Sequence, residues 1–210
     1  MWLLVGLGNP GSRYARDRHN IGFRIIEHLS HTYDIPLSEK KYKSFFGRGS
    51  IHHTPVVLVQ PQTYMNLSGE AVAPLQKKFD IPLDQILIIH DELNLDFGRL
   101  RLKQGGGAGG HNGLRSLHAS LGSPDYPRLR VGIGRPAKGA DIAEYVLAPF
   151  TDEETQALPS IIQDASDMLA CCCRDGLTQA MNRWNRRKPG LPSDSTQPEA
   201  VVAPLADKES

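Results

Sequence analysis

A short apolar run that leads directly into a polar, glycine-rich segment places the strongest constraint on the fold. Residues 3–5 are Leu-Leu-Val, and residues 6–23 then combine glycines, an amide, a phenol, several cations and an imidazole, with a helical period from Ile21 onward. Such an apolar run predicts a buried strand, and open α/β folds place ligands at the carboxyl ends of such strands. We therefore interpret residues 6–23 as part of a functional site rather than of the core.

The glycines of this segment also fit a dinucleotide-binding pattern. Gly6, Gly8 and Gly11 have the G-x-G-x-x-G spacing, which cradles a pyrophosphate when a helix begins at the third glycine. Pro10 stiffens this turn, however, and residues 12–18 carry no apolar stripe. A nicotinamide-dependent enzyme is therefore an alternative that the local pattern disfavours.

Apolar patterns divide most of the chain into alternating strands and helices. Strands are predicted at residues 3–5, 45–52, 56–60, 86–90, 99–103 and 128–133, and helices at residues 21–33, 67–79, 112–121 and 153–184, the last with a break near Gly176. Thr54-Pro55 predicts a hairpin between the second and third strands. This order indicates an α/β fold: a single domain with a twisted mixed β-sheet flanked by α-helices.

Length and composition assign this domain to residues 1–188. The chain has 210 residues, of which 40% are hydrophobic, and this suffices for one buried core. Residues 189–210 are rich in proline, serine, acids and small residues without an apolar period, so we predict a disordered C-terminal tail. Because 24 basic residues face 23 acidic ones, any surface that binds a polyanion must be a local patch.

The sequence predicts a cytoplasmic protein with reduced thiols. The cysteines are consecutive, Cys171 to Cys173, and neighbours so placed are poor disulfide partners. The first residues show no basic and apolar signal region, and no later run reaches the length of a membrane span. We expect no association with a membrane.

His19 and Asp91 are the strongest candidates for an acid–base pair. His19 lies in the polar segment after the first strand, and Asp91 ends the buried-strand pattern of residues 86–90. If the two strands are parallel neighbours, the carboxylate reaches the imidazole, fixes its tautomer and raises the basicity of the other ring nitrogen. Such an imidazole can activate water as a general base, although His90 and Glu92 offer similar groups nearby.

Residues 60–70 carry candidate contacts to a substrate. Tyr64 and Met65 stand beside Asn66, a combination suited to an apolar side chain and a peptide backbone in one groove. Asn66 or Ser68 fits a helix N-cap equally well. Capping and binding are compatible, so both interpretations stay open.

Residues 105–114 form a glycine-rich loop that leads into a helix. This loop is either a flexible linker or a helix N-terminus whose free amide hydrogens bind an anion. Arg101, Lys103 and Arg130 would add cationic charge if their side chains share a face. The second interpretation predicts a substrate that carries phosphate.

The motifs predict neither a metal nor a cofactor. The sequence has no Walker-type Lys and Ser/Thr pair, no nucleophile-elbow serine and no H-E-x-x-H motif. His52-His53 and His90-Asp91-Glu92 offer too few ligands at a suitable spacing. We predict a metal-free hydrolysis by a histidine base, an orienting acid, amides that bind carbonyl oxygens and basic groups that bind phosphate.

Together these motifs resemble those of bacterial peptidyl-tRNA hydrolases. The family pattern is G-L-G-N-P-G, R-H-N-x-G, P-x-T-x-M-N-x-S-G, H-D-E-L-D-L and G-G-G-x-G-G-H-N-G, and the chain follows it in order from the first strand to about Asn185. The resemblance implies a monomeric, cofactor-free enzyme that hydrolyses the ester between a peptide and the 3′ ribose of tRNA. Asn94 departs from the pattern, because it replaces the second acid of H-D-E-L-D-L.

The resemblance also implies roles for individual residues. His19 matches the catalytic base, Asp91 the acid that orients it, and Asn9 the amide that reads the peptide bond and so separates N-blocked from unblocked aminoacyl-tRNA. Matches to substrate contacts are Asn66 and Asn112 near the scissile ester, Tyr14 and Tyr64 at the tRNA acceptor end, and Arg130 and Arg101 at the terminal 5′ phosphate, where lysine is common in place of Arg101. The remaining alternative is a non-catalytic RNA-binding protein, in which His19 stacks on a base.

Overall fold

The central strands of the protein are apolar on both faces. In the computed structural model, which describes residues 1–186, Leu3 and Val5 pack in one hydrophobic cluster and Leu4 packs in another on the opposite face. All three side chains are fully buried, as expected for a sheet covered by helices on both sides. This double burial explains the continuous apolar runs in the sequence.

Seven strands form one mixed sheet. They are β1 (Trp2–Gly6), β2 (Glu39–Lys41), β3 (Ser44–Ile51), β4 (Thr54–Pro61), β5 (Ile86–Glu92), β6 (Leu100–Gln104) and β7 (Pro127–Gly132). The spatial order is β2-β3-β4-β1-β5-β7-β6. The four central strands β4, β1, β5 and β7 are parallel, and antiparallel pairs add β3 and β2 at one edge and β6 at the other.

Helices cover both faces of the sheet. They are α1 (Ile21–Thr32), α2 (Ser68–Lys78), α3 (Asn112–Leu121), α4 (Ile142–Val146), α5 (Asp152–Asp175) and α6 (Leu177–Trp184). The buried residues of α1, α5 and α6 join the hydrophobic cluster on the Leu4 face, and those of α2 and α3 join the cluster on the Leu3 face. The predicted α/β domain with a mixed sheet is confirmed.

The carboxyl ends of the parallel strands meet at one edge of the sheet. Because β1 pairs in parallel with both β4 and β5, the segments that follow these strands lie side by side. α1 approaches this edge closely, since a Cβ on Gly22 would lie 2.5 Å from the backbone nitrogen of Leu7 and 2.6 Å from the carbonyl oxygen of Ile89. Glycine permits this approach and so holds the turn before α1 against the end of β5.

The sequence patterns did not predict β2 and α4. β2 has three residues, two of them lysines, and α4 has five. Neither is long enough to show an apolar period. The predicted break at Gly176 is present, because this residue has a φ of 85° and separates α5 from α6.

The predicted hairpin between β3 and β4 is present, but its turn differs from the prediction. His52 and His53 are the two turn residues, with φ values of 46° and 64°, as in a two-residue turn with both central residues at positive φ. Thr54 and Pro55 are the first residues of β4. Proline is tolerated at the start of a strand, where its missing N–H costs little.

The remaining predictions concern the cysteines, the tail and the membrane. Cys171, Cys172 and Cys173 are buried in α5 and form no disulfide, and burial raises the pKa of each thiol. The predicted tail at residues 189–210 and the domain end at residue 188 lie outside the described residues. Within residues 1–186, no helix has both the length and the hydropathy needed to cross a bilayer.

Candidate active site

A buried hydrogen bond joins the segment between β1 and α1 to the end of β5. Nδ1 of His19 lies 2.8 Å from Oδ1 of Asp91, and both residues are less than a tenth exposed. His19 lies in a 3-10 turn, Arg18–Asn20, immediately before α1. Arg18 anchors this turn, because its guanidinium donates to the carbonyl of Pro149 at 2.8 Å and to the carboxylate of Glu154 at 2.6 Å.

His111 is a second imidazole on the same carboxylate oxygen. Its Nε2 lies 3.1 Å from Oδ1 of Asp91, and its Nδ1 accepts from the backbone N–H groups of Gly113 and Leu114 at 3.1 and 3.3 Å. Because Nδ1 accepts two backbone protons, the ring proton must reside on Nε2, which donates to Asp91. His111 thus caps α3 and connects its N-terminus to the carboxylate.

The groups of this cluster shift one another's pKa values. Burial alone would raise the pKa of Asp91, but the electrostatic attraction of His19 and His111 and the hydrogen bonds from both rings outweigh it and hold that pKa well below its usual value. Burial would lower the pKa of His19, yet the charge and hydrogen bond of Asp91, together with the charge of Asp17, raise it. An ionised Asp91 can only accept, so His19 donates through Nδ1 and neutral His19 keeps a lone pair on Nε2.

Asn9 has a fixed orientation beside this cluster. Its Oδ1 accepts from the backbone N–H of Met65 at 2.8 Å, so its NH₂ group is left as a donor. Asn20 fixes the backbone of Asn9, since its Oδ1 accepts from the Asn9 N–H and its Nδ2 donates to the Asn9 carbonyl, both at 2.9 Å. Asn20 is therefore a positioning residue that the sequence patterns did not single out.

His19, Asp91, His111 and Asn9 line one open cavity of about 1040 Å³. The predicted site residues that line it are Asn9, Tyr14, His19, Tyr64, Met65, Asn66, Asp91 and Asn112. Ile142 and Leu147 form an apolar part of the wall and are 54% and 43% exposed. The cavity therefore combines hydrogen-bonding groups with exposed apolar surface, as a binding site for a peptide requires.

The outer part of the cavity is aromatic and amide-rich. The rings of Tyr14 and Tyr64 are perpendicular with centroids 6.5 Å apart, and Tyr64 is 59% exposed. Asn66 does not cap α2: the cap position belongs to Leu67, without a side-chain hydrogen bond. The N-cap interpretation is wrong for Ser68 as well, because its hydroxyl donates back to the carbonyl of Met65.

Two amides at the helix end of the glycine-rich loop are not free to bind an anion. The amides of Gly113 and Leu114 at the start of α3 donate to His111. The loop instead presents carbonyls: those of Gly106 and Gly107 accept from the guanidinium of Arg128. This loop therefore holds a structural arginine, and an anion site at its other amides stays a prediction.

The cations of β6 and β7 lie outside the cavity lining and share one face of the sheet. Arg101 pairs directly with Arg130 across the two strands, and directly opposed residues project to the same side. Lys103 follows two residues later on the same side. Arg130 donates through Nε to the carboxylate of Glu92 at 3.0 Å, whereas Arg101 and Lys103 are exposed.

The three residues of the acid–base cluster have metal-ligand chemistry. Ligand atoms of His19, Asp91 and His111 all lie within 4.8 Å of one another. The two hydrogen bonds to Asp91 produce the same proximity without an ion. Activity in the presence of a chelator distinguishes these possibilities.

Comparisons with known proteins agree on one family. The family model described as peptidyl-tRNA hydrolase matches residues 3–191. The chain is 50% identical over 186 residues to the peptidyl-tRNA hydrolase of Chloroflexus aggregans, covering 88% of this chain and 99% of that protein. It is 46% identical over 187 residues to the enzyme of Bacillus pumilus, covering 89% and 100%. The chain belongs to the peptidyl-tRNA hydrolase family.

A solved member of the peptidyl-tRNA hydrolase family has the same fold. The crystal structure of the enzyme from Acinetobacter baumannii superposes with a TM-score of 0.85 at 42% identity, covering 90% of this chain and 96% of that chain. The predicted family and the predicted hydrolase activity on peptidyl-tRNA are confirmed. The dinucleotide interpretation is wrong, because a single 3-10 turn, Ser12–Tyr14, follows Gly11 where that interpretation requires a helix.

Proposed function

We propose that His19 acts as the general base of this peptidyl-tRNA hydrolase. In this mechanism Nε2 of His19 takes a proton from water as the water attacks the ester carbonyl between the peptide and the 3′ ribose. Asp91 holds the ring through Nδ1 and stabilises the imidazolium that forms. The observation that carries the proposal is the buried hydrogen bond of 2.8 Å between His19 and Asp91, since an oriented and basic imidazole is what water activation requires.

Asn9 is the donor that we assign to a carbonyl oxygen of the substrate. Its Oδ1 is occupied by the Met65 amide, so Nδ2 is the atom that can donate into the cavity. A donor at this place can bind the peptide carbonyl or the oxyanion that develops during attack. Unblocked aminoacyl-tRNA lacks the peptide carbonyl and carries a charged amine. The same donor therefore supports discrimination between N-blocked and unblocked aminoacyl-tRNA.

The remaining predicted residues form the tRNA side of the site. We assign Tyr14 and Tyr64 to the acceptor end, because both rings line the cavity and aromatic rings stack on unpaired bases. Asn66 and Asn112, on the cavity wall, hold the 3′ end near the ester. Met65 contacts the apolar part of the peptide.

The terminal 5′ phosphate of the tRNA is assigned to the basic face of β6 and β7. Arg130 provides the first contact and Arg101, its direct neighbour across the strands, provides the second. Lys103 is the alternative second cation on the same face. The protein acts as a monomer in the cytoplasm, where its substrate is produced, and it needs no membrane partner.

Hydrolysis of matched substrates tests the proposal. N-acyl-aminoacyl-tRNA and unblocked aminoacyl-tRNA are incubated with the wild type, with His19→Ala and with His31→Ala, an exposed histidine that serves as the matched control. We expect the wild type and His31→Ala to cleave the blocked substrate alone, in EDTA as in its absence, and His19→Ala to bind it without cleavage. Normal turnover by His19→Ala would reject the base, and loss of activity in EDTA would favour a metal at His19, Asp91 and His111.

A further inference from the structure

Glu92 divides its carboxylate between two partners. Its Oε2 accepts from Nε of Arg130 at 3.0 Å, and its Oε1 accepts from the backbone N–H of Asn94 at 2.9 Å and from the Asn94 side-chain amide at 2.8 Å. The side chains of Arg130 and Glu92 are only 20% and 14% exposed. Burial would raise the pKa of Glu92, but the hydrogen bonds from Asn94 and Arg130 outweigh it, so the pKa is lowered and the carboxylate stays ionised.

The contact with Glu92 selects which edge of Arg130 is presented to a ligand. A guanidinium binds phosphate with two parallel N–H groups, and either the Nε side or the paired Nη side can do so. In Arg130 the Nε–H group donates its hydrogen bond to Glu92, and no other side-chain hydrogen bond of Arg130 occurs within residues 1–186. The Nη groups are therefore the donors that remain.

Asn94 extends this arrangement to a second cation. Its Oδ1 accepts from the guanidinium of Arg135, while its Nδ2 donates to Glu92. The group of Arg130, Glu92, Asn94 and Arg135 therefore holds two positive charges and one negative charge. An aspartate at position 94, as in the H-D-E-L-D-L pattern, would place a second carboxylate against Glu92 and cancel the excess positive charge.

We propose that Glu92 and Asn94 are positioning residues that hold Arg130 with its Nη groups directed at the terminal 5′ phosphate of tRNA, and that Arg135 adds a further cation to this phosphate site. The inference rests on the assignment of Arg130 to the 5′ phosphate. It goes further in naming the residues that orient the guanidinium and in giving Asn94 a function that an acid cannot perform. The alternative to a positioning role is that Glu92 competes with the phosphate for Arg130.

Binding of acceptor-stem hairpins with either a 5′ phosphate or a 5′ hydroxyl separates these two roles. The hairpins carry no ester, so the measurement reports binding without hydrolysis, and the phosphate preference is the ratio of the two dissociation constants. Glu92→Gln and Glu92→Ala both remove the negative charge, but only glutamine retains an oxygen that can accept from Nε of Arg130. The difference between these two variants therefore isolates positioning from charge.

We expect the wild type to prefer the 5′ phosphate and Glu92→Gln to keep or exceed this preference. Glu92→Ala should lose about fivefold of the preference relative to Glu92→Gln, which is the scale of one hydrogen bond. Binding of the 5′-hydroxyl hairpin should be equal in Glu92→Gln and Glu92→Ala, because both variants lack the charge of Glu92. Thermal unfolding of each variant confirms that the fold is retained.

Asn94→Asp and Arg135→Ala test the contribution of Arg135 to the phosphate site. Both should reduce the phosphate preference, and Asn94→Ala should reduce it less than Asn94→Asp, because only aspartate adds a negative charge. Equal preferences in Glu92→Ala and Glu92→Gln, or a stronger preference in Glu92→Ala, would overturn the positioning role alone. A wild type that binds both hairpins equally would overturn the assignment of Arg130 to the phosphate and the inference with it.

Discussion

Nδ1 of His19 and Oδ1 of Asp91 lie 2.8 Å apart although 72 residues separate them in the chain. The contact exists because β1 and β5 are adjacent parallel strands. His19 lies in the segment that follows β1, and Asp91 lies next to the last residue of β5. Asp91 is 4% exposed, so water screens its charge only weakly. The carboxylate therefore controls both the orientation and the proton affinity of the imidazole.

Asp91→Asn should slow the reaction and change its pH dependence. Because the carboxylate raises the pKa of His19, its removal should move the acidic limb of kcat/KM to lower pH. We also expect kcat to fall by about 10² to 10⁴, since an amide does not stabilise the imidazolium and can select the wrong tautomer. Rates across the range from about pH 5 to about pH 9 measure both effects. Asp84→Asn, on an exposed carboxylate, is the control, and an unshifted acidic limb in Asp91→Asn would contradict the assignment.

His111 has two separable functions, and two substitutions distinguish them. Asparagine can accept from the first amides of α3 as Nδ1 does, but it does not reach Asp91, whereas alanine loses both contacts. His111→Asn should reduce kcat about tenfold through the loss of one charge-assisted hydrogen bond. His111→Ala should be equally slow and also less stable than His111→Asn by about 1 kcal/mol, because it loses the helix cap as well. Wild-type kcat in His111→Asn would show that the contact with Asp91 is dispensable.

The sequence predicts those contacts of the site that depend only on where neighbouring strands end. Leu3–Val5 and residues 86–90 are continuous apolar runs, and parallel neighbours bring the polar residues after them together. His111 was not predicted, because its role depends on the direction of its ring. Two backbone amides and a carboxylate from another strand set that direction, and none of these contacts leaves a periodic pattern.

α4 illustrates a second limit of sequence patterns. Its five residues are capped by Asp141, which accepts from the amides of Ala143 and Glu144. Tertiary contacts then fix it: the Tyr145 hydroxyl donates to the carbonyl of Ile133 at 2.6 Å, and the Arg18 guanidinium lies 4.4 Å from the centre of the Tyr145 ring. A helix this short gains little from its own hydrogen bonds, so the contacts that order it are those that a linear pattern does not contain.

Asn9→Asp tests the donor assigned to the substrate carbonyl. Aspartate can still accept from the Met65 amide, so the local backbone is retained, but the NH₂ donor is lost and a negative charge enters the cavity. We expect kcat/KM on N-acyl-aminoacyl-tRNA to fall by about 10² to 10³, the usual effect of removing one oxyanion donor. Unchanged thermal stability would show that the loss is local. A rate within a factor of about two of the wild type would remove Asn9 from the reaction.

Salt dependence tests the cationic face of β6 and β7. Each phosphate contact contributes about one unit to the slope of log affinity against log salt, so Arg130→Ala should flatten that slope by about one. Arg101→Ala should do the same if Arg101 is the second contact, whereas an effect in Lys103→Ala alone would assign this role to Lys103. Lys40→Ala, on β2 at the opposite edge of the sheet, is the control. An unchanged slope in Arg130→Ala would exclude this residue from the phosphate contact.

His90 should make the protein less stable in acid. Burial, assisted by the electrostatic interaction with His111, lowers the pKa of His90 to about 3, whereas the unfolded chain binds this proton below about pH 6.5. The unfolded state therefore carries the extra proton between these values, and stability should fall by about 1.4 kcal/mol for each unit of decreasing pH on account of this residue. In His90→Asn the amide NH₂ can replace Nδ1 as donor to the Asp91 carbonyl, so the fold is kept. The slope of the unfolding free energy against pH should then decrease by the contribution of one proton. Urea unfolding at several pH values measures the slope. His53→Asn, at an exposed histidine, is the control. Equal slopes in His90→Asn and the wild type would show that His90 is already protonated in the folded protein.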